Sequence, residues 1–214
     1  MKFCSHCGSP RVELRVPEGD NLPRFVCAAC GTIHYQNPKI VVGCLPEWEG
    51  RVLLCKRAIE PRYGLWTLPA GFLENGETIV AGALRETEEE AHARVEPLDL
   101  YTIISLPQIN QVYMMFRARL QDLDFGPGSE SLEVKLVDEA DVPWESLAFR
   151  TIARTLRNYF LDRKQGGFPL RLTESTFTRD YTLCANGRCA DLSERIGATA
   201  EGEVVTVRAC EAGK

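Results

Sequence analysis

Three glutamates and an arginine crowd one stretch of this chain. In the run GFLENGETIVAGALRETEEEAHA, residues 71–93, Gly71 is followed by Glu77 and then by Arg85, Glu86, Glu89 and Glu90. A helix opening near Thr78 and running to about Ala91 puts Glu86, Glu89 and Glu90 at i, i+3 and i+4, on one face within about a turn. Like charges that close repel, and the cluster weakens a helix unless something positive sits on it. Hard divalent cations that take oxygen ligands, Mg²⁺ or Mn²⁺, meet that need. Glu88 points away from the other three and reads as a solvated residue. Ahead of the helix, TLPAGFLENGE is rich in turn formers, and Gly71 and Gly76 bracket a loop able to approach a ligand closely.

A second chemistry lies at the start of the chain. Cys4 and Cys7 are separated by two residues, as are Cys27 and Cys30, and each pair is followed by a glycine, Gly8 and Gly31. Two such knuckles have the spacing of a Cys4 zinc ribbon, favoured over disulfide pairs because disulfides are rare in a reducing compartment. Four thiolates complete the Zn²⁺ tetrahedron and leave no position for water, so this zinc is structural rather than catalytic. His6, between Cys4 and Cys7, reads as exposed rather than ligating.

The elements that must position these groups follow from apolar patterning. Residues 40–45 (IVVGCL) and 51–57 (RVLLCKR) read as strands of a hairpin turning at 47–50, with Cys44 and Cys55 as core residues inside them. Residues 101–106, 111–120 and 133–137 read as further strands, and 144–163 has helical apolar spacing. Mixed strands with a helix on each side make an α/β/α sandwich. The expected organisation is a zinc ribbon over 1–36, an α/β domain over 37–164 with 35–38 as linker, and a C-terminal extension over 165–214. In that extension, LCANGRCADL sets Cys184 and Cys189 about Asn186 and Gly187, a type I′ hairpin pattern. With Cys210 they supply three thiolates at most, and a small hairpin is favoured over a second metal cluster. Residues 197–203 read as loop.

Composition narrows the setting. With 214 residues, 44% hydrophobic and 26% charged, the chain can bury a full core and does not resemble disordered sequences. No apolar run approaches the ~20 residues of a membrane span, and no signal-like region opens the chain, so a soluble, cytoplasmic protein without membrane partners is expected. A net charge of −5 offers no general attraction to nucleic acid, which is not expected as a partner.

The string at 71–93 resembles the Nudix box, G x5 E x7 REUxEExGU with U aliphatic, through Gly71, Glu77, Arg85, Glu86, Glu89 and Glu90. Two positions depart from it: Thr87 replaces an aliphatic residue, and His92 replaces the glycine that ends the helix in the αL conformation. Histidine tolerates αL better than most residues, so a slightly strained helix end with intact chemistry is expected. Together with the ribbon, GLWTLPAGFLENGE and FGPGSESLEVKL resemble a bacterial and plastid group of zinc-ribbon Nudix hydrolases that cleave FAD and, less specifically, ADP-ribose. The resemblance covers about residues 4–161. The NADH pyrophosphatase group carries SQPWPFP after the box, where this chain has SLPQIN at 105–110.

The resemblance implies a Nudix α/β/α sandwich with mixed sheet and metal-dependent hydrolysis of a dinucleotide or nucleotide-sugar diphosphate, most readily FAD to FMN and AMP. Glu86 and Glu90 then serve as principal ligands of Mg²⁺ or Mn²⁺, Glu89 as a third and the Gly71 carbonyl as a fourth. Arg85 orients Glu77 and Glu89 rather than touching substrate. Glu133 is the candidate general base, with Glu130 and a box glutamate as rivals and a solvent-exposed strand residue as its other reading, and a homodimer is expected. For flat rings, Trp66, Tyr113 and Phe116 lie on segments near the expected cleft, although each is more often core. Lys39, Lys56 and Arg57 can meet phosphates or serve solubility alone. The alternatives are an NADH pyrophosphatase, a sanitiser of oxidised nucleotides, and a non-catalytic nucleotide sensor. Three crowded carboxylates favour the enzyme.

Overall fold

The computed structural model describes residues 1–174 together with the backbone strands at 179–182 and 203–204. The expected hairpin at Cys184 and Cys189, Cys210, and the expected loop at 197–202 lie outside the described residues. The chain divides into Met1–Pro38 and Lys39–Lys214. No described helix is long and apolar enough to cross a membrane.

The first unit is a three-stranded antiparallel sheet of β1 (Val12–Arg15), β2 (Arg24–Cys27) and β3 (Ile33–His34), in that order. Its two cysteine knuckles flank these short strands.

The second unit is built on one mixed sheet. β4 (Lys39–Trp48) and β5 (Arg51–Arg57) form the expected hairpin, paired at Glu47 with Val52 and Trp48 with Arg51. Away from the turn the two strands part, and short strands fill the gap: β6 (Trp66–Thr67) pairs with β5 and β7 (Ala70–Phe72) with β4. The turn-rich segment ahead of the box is therefore partly strand. Helix α1 (Ile79–Ala91) follows. Then come β8 (Val95–Leu106), a 3₁₀ turn at Pro107–Ile109, β9 (Gln111–Leu120) and β10 (Ser131–Val137). β9 lies parallel to β4 and antiparallel to β8, which starts six residues ahead of the apolar run that announced it.

Alternation along the strands sends side chains to two cores. Val42, Cys44, Leu53 and Cys55 join Ala83 and Ala91 of α1. Leu45, Val52 and Leu54 face helix α2 (Arg150–Gln165) through Ile152, Leu156, Tyr159 and Phe160. A helix on each face of the sheet, with period-two burial between them, is the expected α/β/α sandwich.

Two boundaries differ from expectation. The second helix begins at Arg150 rather than at 144, because the segment before it is tied to the sheet: Leu147 bridges Trp66, and the Ala148 N–H donates to the Trp66 carbonyl at 2.7 Å. A 3₁₀ turn at Trp144–Ser146 is all the helical structure that remains there. Beyond α2, β11 (Arg171–Glu174) adds parallel to β8, and the backbone strands β12 (Arg179–Thr182) and β13 (Glu203–Val204) continue the same sheet. The opening of the C-terminal extension is thus built into the α/β domain. Asp162 of α2, 1% exposed, accepts from Tyr101 Oη at 2.6 Å and from Arg171 Nε at 2.8 Å.

Candidate active site

Thr78 caps α1, its hydroxyl accepting from the Ala81 N–H at 3.1 Å, as the sequence required of a helix opening there. The helix closes at His92 with φ 46° and ψ 33°, a left-handed residue in the place where the box has glycine. Thr87 is fully buried, and its hydroxyl donates to the Ala83 carbonyl at 2.8 Å. That internal bond is how a polar residue fits the aliphatic position.

Arg85 organises the acidic face. Its Nε and Nη2 hold both oxygens of Glu77 at 3.1 and 2.8 Å, its Nη1 donates to Glu86 at 2.8 Å and Glu89 at 3.0 Å, and Nη2 also reaches the Phe72 carbonyl at 3.1 Å. The guanidinium is spent on carboxylates and backbone, an orienting role. Glu77 also accepts from the Glu74 N–H at 2.7 Å. Held foremost by Arg85, it titrates at about 2.

Glu86 and Glu90 differ from Glu77 in being sunk toward the loop at Gly71. A Cβ on Gly71 would meet Glu86 Oε2 at 2.3 Å, so only glycine lets this carboxylate lie against the strand backbone. Glu90 is 6% exposed, and its Oε2 accepts from the Ala70 N–H at 3.3 Å. Burial pushes Glu90 up to about 8, and the charges of Glu86 and Glu130 add to the shift. Burial likewise raises Glu86 against the pull of Arg85. Glu89 is more exposed and pairs with Arg85. A buried carboxylate, Glu90, and a half-buried one, Glu86, both with negative forms disfavoured by burial, beside a third and the Gly71 turn, are a donor set that fits a hard cation. Among the described residues, the carboxylates do not converge as tightly as the cysteine ligand atoms, because Arg85 holds Glu86 and Glu89.

The four knuckle thiols converge within 4.8 Å of one another. Cys4 and Cys30 sulfurs lie 3.7 Å apart and Cys7 and Cys27 3.6 Å apart, close to the roughly 3.8 Å edge of a tetrahedron with Zn–S of about 2.3 Å. None is in a disulfide. Gly8 and Gly31 take positive φ, and their N–H groups donate to the Cys4 and Cys27 carbonyls at 2.9 Å each. The set fits structural zinc.

Residues 37–159 match the family described as NUDIX domain, and residues 2–36 match the one described as Nudix N-terminal, a zinc ribbon. The chain belongs to the Nudix family. The solved Nudix hydrolase of Nitrosomonas europaea is 61% identical, with a TM-score of 0.79 over 81% of this chain and 98% of that one. The NAD-capped RNA hydrolase NudC of Chromobacterium violaceum is 32% identical over 62% of this chain and 48% of its own length. An ADP-ribose pyrophosphatase of Methanocaldococcus jannaschii is 34% identical over 34% of this chain and 43% of its own. The chain spans about half the length of the curated NudC relatives it matches.

Within this Nudix site the expected substrate residues separate. Trp66, expected to face a flat ring, is instead 6% exposed and packed in the α2-side core, with the ammonium groups of Lys56 and Lys135 5.7 and 4.2 Å from its ring centroid. Phe116 is also core. Tyr113 is half-buried, and its phenol is raised by burial and opposed by the charge of Arg57. Arg57 donates from Nε to the Pro61 carbonyl at 3.0 Å and lies 5.3 Å from the centroid of the Phe149 ring, and its charge favours ionised Glu90 against the effect of burial. Glu133 stands opposite Lys56 in the β10–β5 ladder and pairs with it at 3.8 Å. Its rival Glu130 adds its charge to both Glu86 and Glu90.

Two residues escaped the sequence reading. Phe72, 49% exposed and carrying Lys39 4.8 Å above its ring, follows Gly71 directly; its place beside the glycine was the available signal. His34 sets Nε2 3.3 Å from Cys4 Sγ, with Ser5 Oγ 3.4 Å from Nδ1. Nothing in the spacing of the knuckles marked it.

Proposed function

We propose that this chain is a divalent-metal-dependent hydrolase of dinucleotide diphosphates, cleaving FAD to FMN and AMP and accepting ADP-ribose. The observation that carries the reading is the carboxylate pair of half-buried Glu86 and buried Glu90, pressed against the Gly71 turn and framed by Arg85. A structural acidic face would be solvated, whereas Glu90 is buried beside the charge of Glu86, a cost that a bound cation or a proton relieves.

Glu86 and Glu90, with Glu89 and the Gly71 carbonyl, would hold Mg²⁺ or Mn²⁺. When bound, the metal neutralises the diphosphate and lowers the pKa of water. Arg85 keeps Glu77, Glu86 and Glu89 fixed, so no side chain must reorganise as charge develops on phosphorus. Glu130 is better placed than Glu133 to take the proton of the attacking water, since Lys56 occupies the latter. Arg57, whose charge acts on Glu90, is suited to a substrate phosphate. Phe72 and Tyr113 flank Val41 on neighbouring strands and offer aromatic surface for a flat ring.

Attack at the central linkage leaves both sugar esters intact, so FAD should give FMN and AMP, and ADP-ribose should give AMP and ribose 5-phosphate. A second reading, hydrolysis of NADH or NAD-type ends, is favoured by the NudC relatives. Against it, the 105–110 segment is a tight 3₁₀ connection between β8 and β9 without the SQPWPFP string. FAD, ADP-ribose and NADH compared with Mg²⁺ by chromatographic product analysis decide the matter. The flavin should show the higher kcat/KM than NADH, because its larger ring buries more apolar area at roughly 25 cal/mol per Å². NADH turned over tenfold better would transfer the assignment, and cleavage of none would favour the sanitiser or the sensor.

A further inference from the structure

The site draws on two elements, since Glu86 and Glu90 belong to α1 while Glu130 arrives from the loop between β9 and β10. Something must set the distance between them. The last carbonyls of α1 have no partner inside the helix, and here they are met by that loop: the Gly126 N–H donates to the Ala91 carbonyl at 2.9 Å and the Gly128 N–H to the Glu90 carbonyl at 3.0 Å. Phe125 beside them packs on the α1-side core. A Cβ at Gly128 would lie 1.7 Å from the Glu89 carbonyl oxygen, backbone against backbone, with no flexible group to give way. Two residues on, the Glu130 carbonyl accepts from the Ala58 N–H at 2.8 Å, at the end of β5, and the Ser131 N–H closes on the Gly128 carbonyl at 3.1 Å.

We infer that residues 121–130 form a strap pinned to both α1 and β5, and that Gly128 is a positioning residue holding Glu130 at its working distance from the helix carboxylates. The inference rests on the hydrolase reading above. Any residue larger than glycine lifts the strap off α1, and Glu130 moves with it. Active-site constellations tolerate only about 0.5 Å of such error. Gly126 provides the contrast, because a Cβ there meets open space.

The test compares Gly128→Ala, Gly126→Ala, Glu130→Asp and the double variant Gly128→Ala/Glu130→Asp, using FAD and ADP-ribose for turnover and Mn²⁺ calorimetry for metal binding. Gly128→Ala should lower kcat by about 30-fold or more, with KM within about threefold, as a displaced reacting group does. Mn²⁺ binding should weaken several-fold in the same variant, and Gly126→Ala should match the parent in both measurements. Glu130→Asp, which shortens the reach without touching the packing, should reproduce the kcat loss, and the double variant should add little to either single change. A folded Gly128→Ala protein with parental kcat and Mn²⁺ affinity overturns the inference. So do losses that multiply in the double variant. If Gly128→Ala fails to fold, parental behaviour of Glu130→Asp overturns it on its own. Glu90→Gln run alongside keeps the two ideas apart: retained turnover there removes the hydrolase reading itself.

Discussion

Replacing Gly71 by alanine separates the chemistry of the site from the stability of the fold. The new Cβ would stand 2.3 Å from Glu86 Oε2 and 2.4 Å from its Cδ and Oε1. Ordinary contact needs about 3.4 Å or more, so the Glu86 carboxylate must retreat by roughly 1 Å. The obstacle is the far end of a flexible side chain, and Gly71 does not occupy the left-handed region, so the backbone accepts alanine. Stability should therefore hold or rise by about 0.4–1 kcal/mol, because alanine restricts the unfolded chain. Catalysis should not hold. A misplacement of about 1 Å in a reacting constellation costs on the order of 10²-fold in rate, close to 2.7 kcal/mol in the barrier. Thermal unfolding and steady-state kinetics on one preparation give both values. A variant with kcat within about fivefold of the parent would refute the placement of Glu86 at the reacting centre, since the clash is unavoidable. A melting temperature that falls with the activity would refute the claim that the side chain yields and the fold does not.

Four further outcomes follow from the same geometry. Glu90→Gln should remove nearly all turnover at saturating Mg²⁺ while far-UV circular dichroism stays unchanged; more than about a tenth of the parental rate would contradict its role as a ligand. Protein purified without chelator should carry one zinc per chain by elemental analysis, a Cys27→Ser/Cys30→Ser variant should carry none, and His34→Ala should lose roughly tenfold in zinc affinity through the lost contact with Cys4. Glu77, held at about 2 against an ordinary 4.5, stabilises the fold above pH 4.5, and that contribution is lost as the pH falls toward 2. Acid unfolding of Arg85→Met should lack this part of the pH dependence; an unaltered acid profile would show that the pair contributes nothing. Arg171→Met, which removes the guanidinium from the buried Asp162 carboxylate and leaves Tyr101 donating to it, should cost about 3 kcal/mol or more in urea unfolding, and a loss below about 1 kcal/mol would mean β11 is not anchored by that ion pair.

What could be read from the sequence was whatever one element holds by itself. Thr78, the apolar spacing of α1 and the three glutamates all lie within sixteen residues, so the capped helix and its acidic face needed no knowledge of the rest of the chain. The same is true of β4 and β5, where alternation alone sends Cys44 and Cys55 to the core. The roles that could not be read depend on register between distant elements. Trp66 was an open aromatic until Leu147, some eighty residues later, bridged it and the α2 side closed over it. Glu130 and Glu133 are equivalent by type, and the assembled fold separates them: Glu133 pairs with Lys56 across the β10–β5 ladder, while the charge of Glu130 acts on Glu86 and Glu90. Arg171 had no visible purpose while Asp162 and Tyr101 were unplaced, because a buried charge is meaningful only with its partner. His34 is the same problem in the ribbon, two strands away from the sulfur it reaches. A box motif therefore locates the carboxylates on the strength of one helix, whereas the base, the ring contacts and the strap that spaces them are properties of the assembled sheet. Substrate choice belongs to this second class, which explains why the string at 71–93 speaks for the reaction and is silent on the molecule it acts upon.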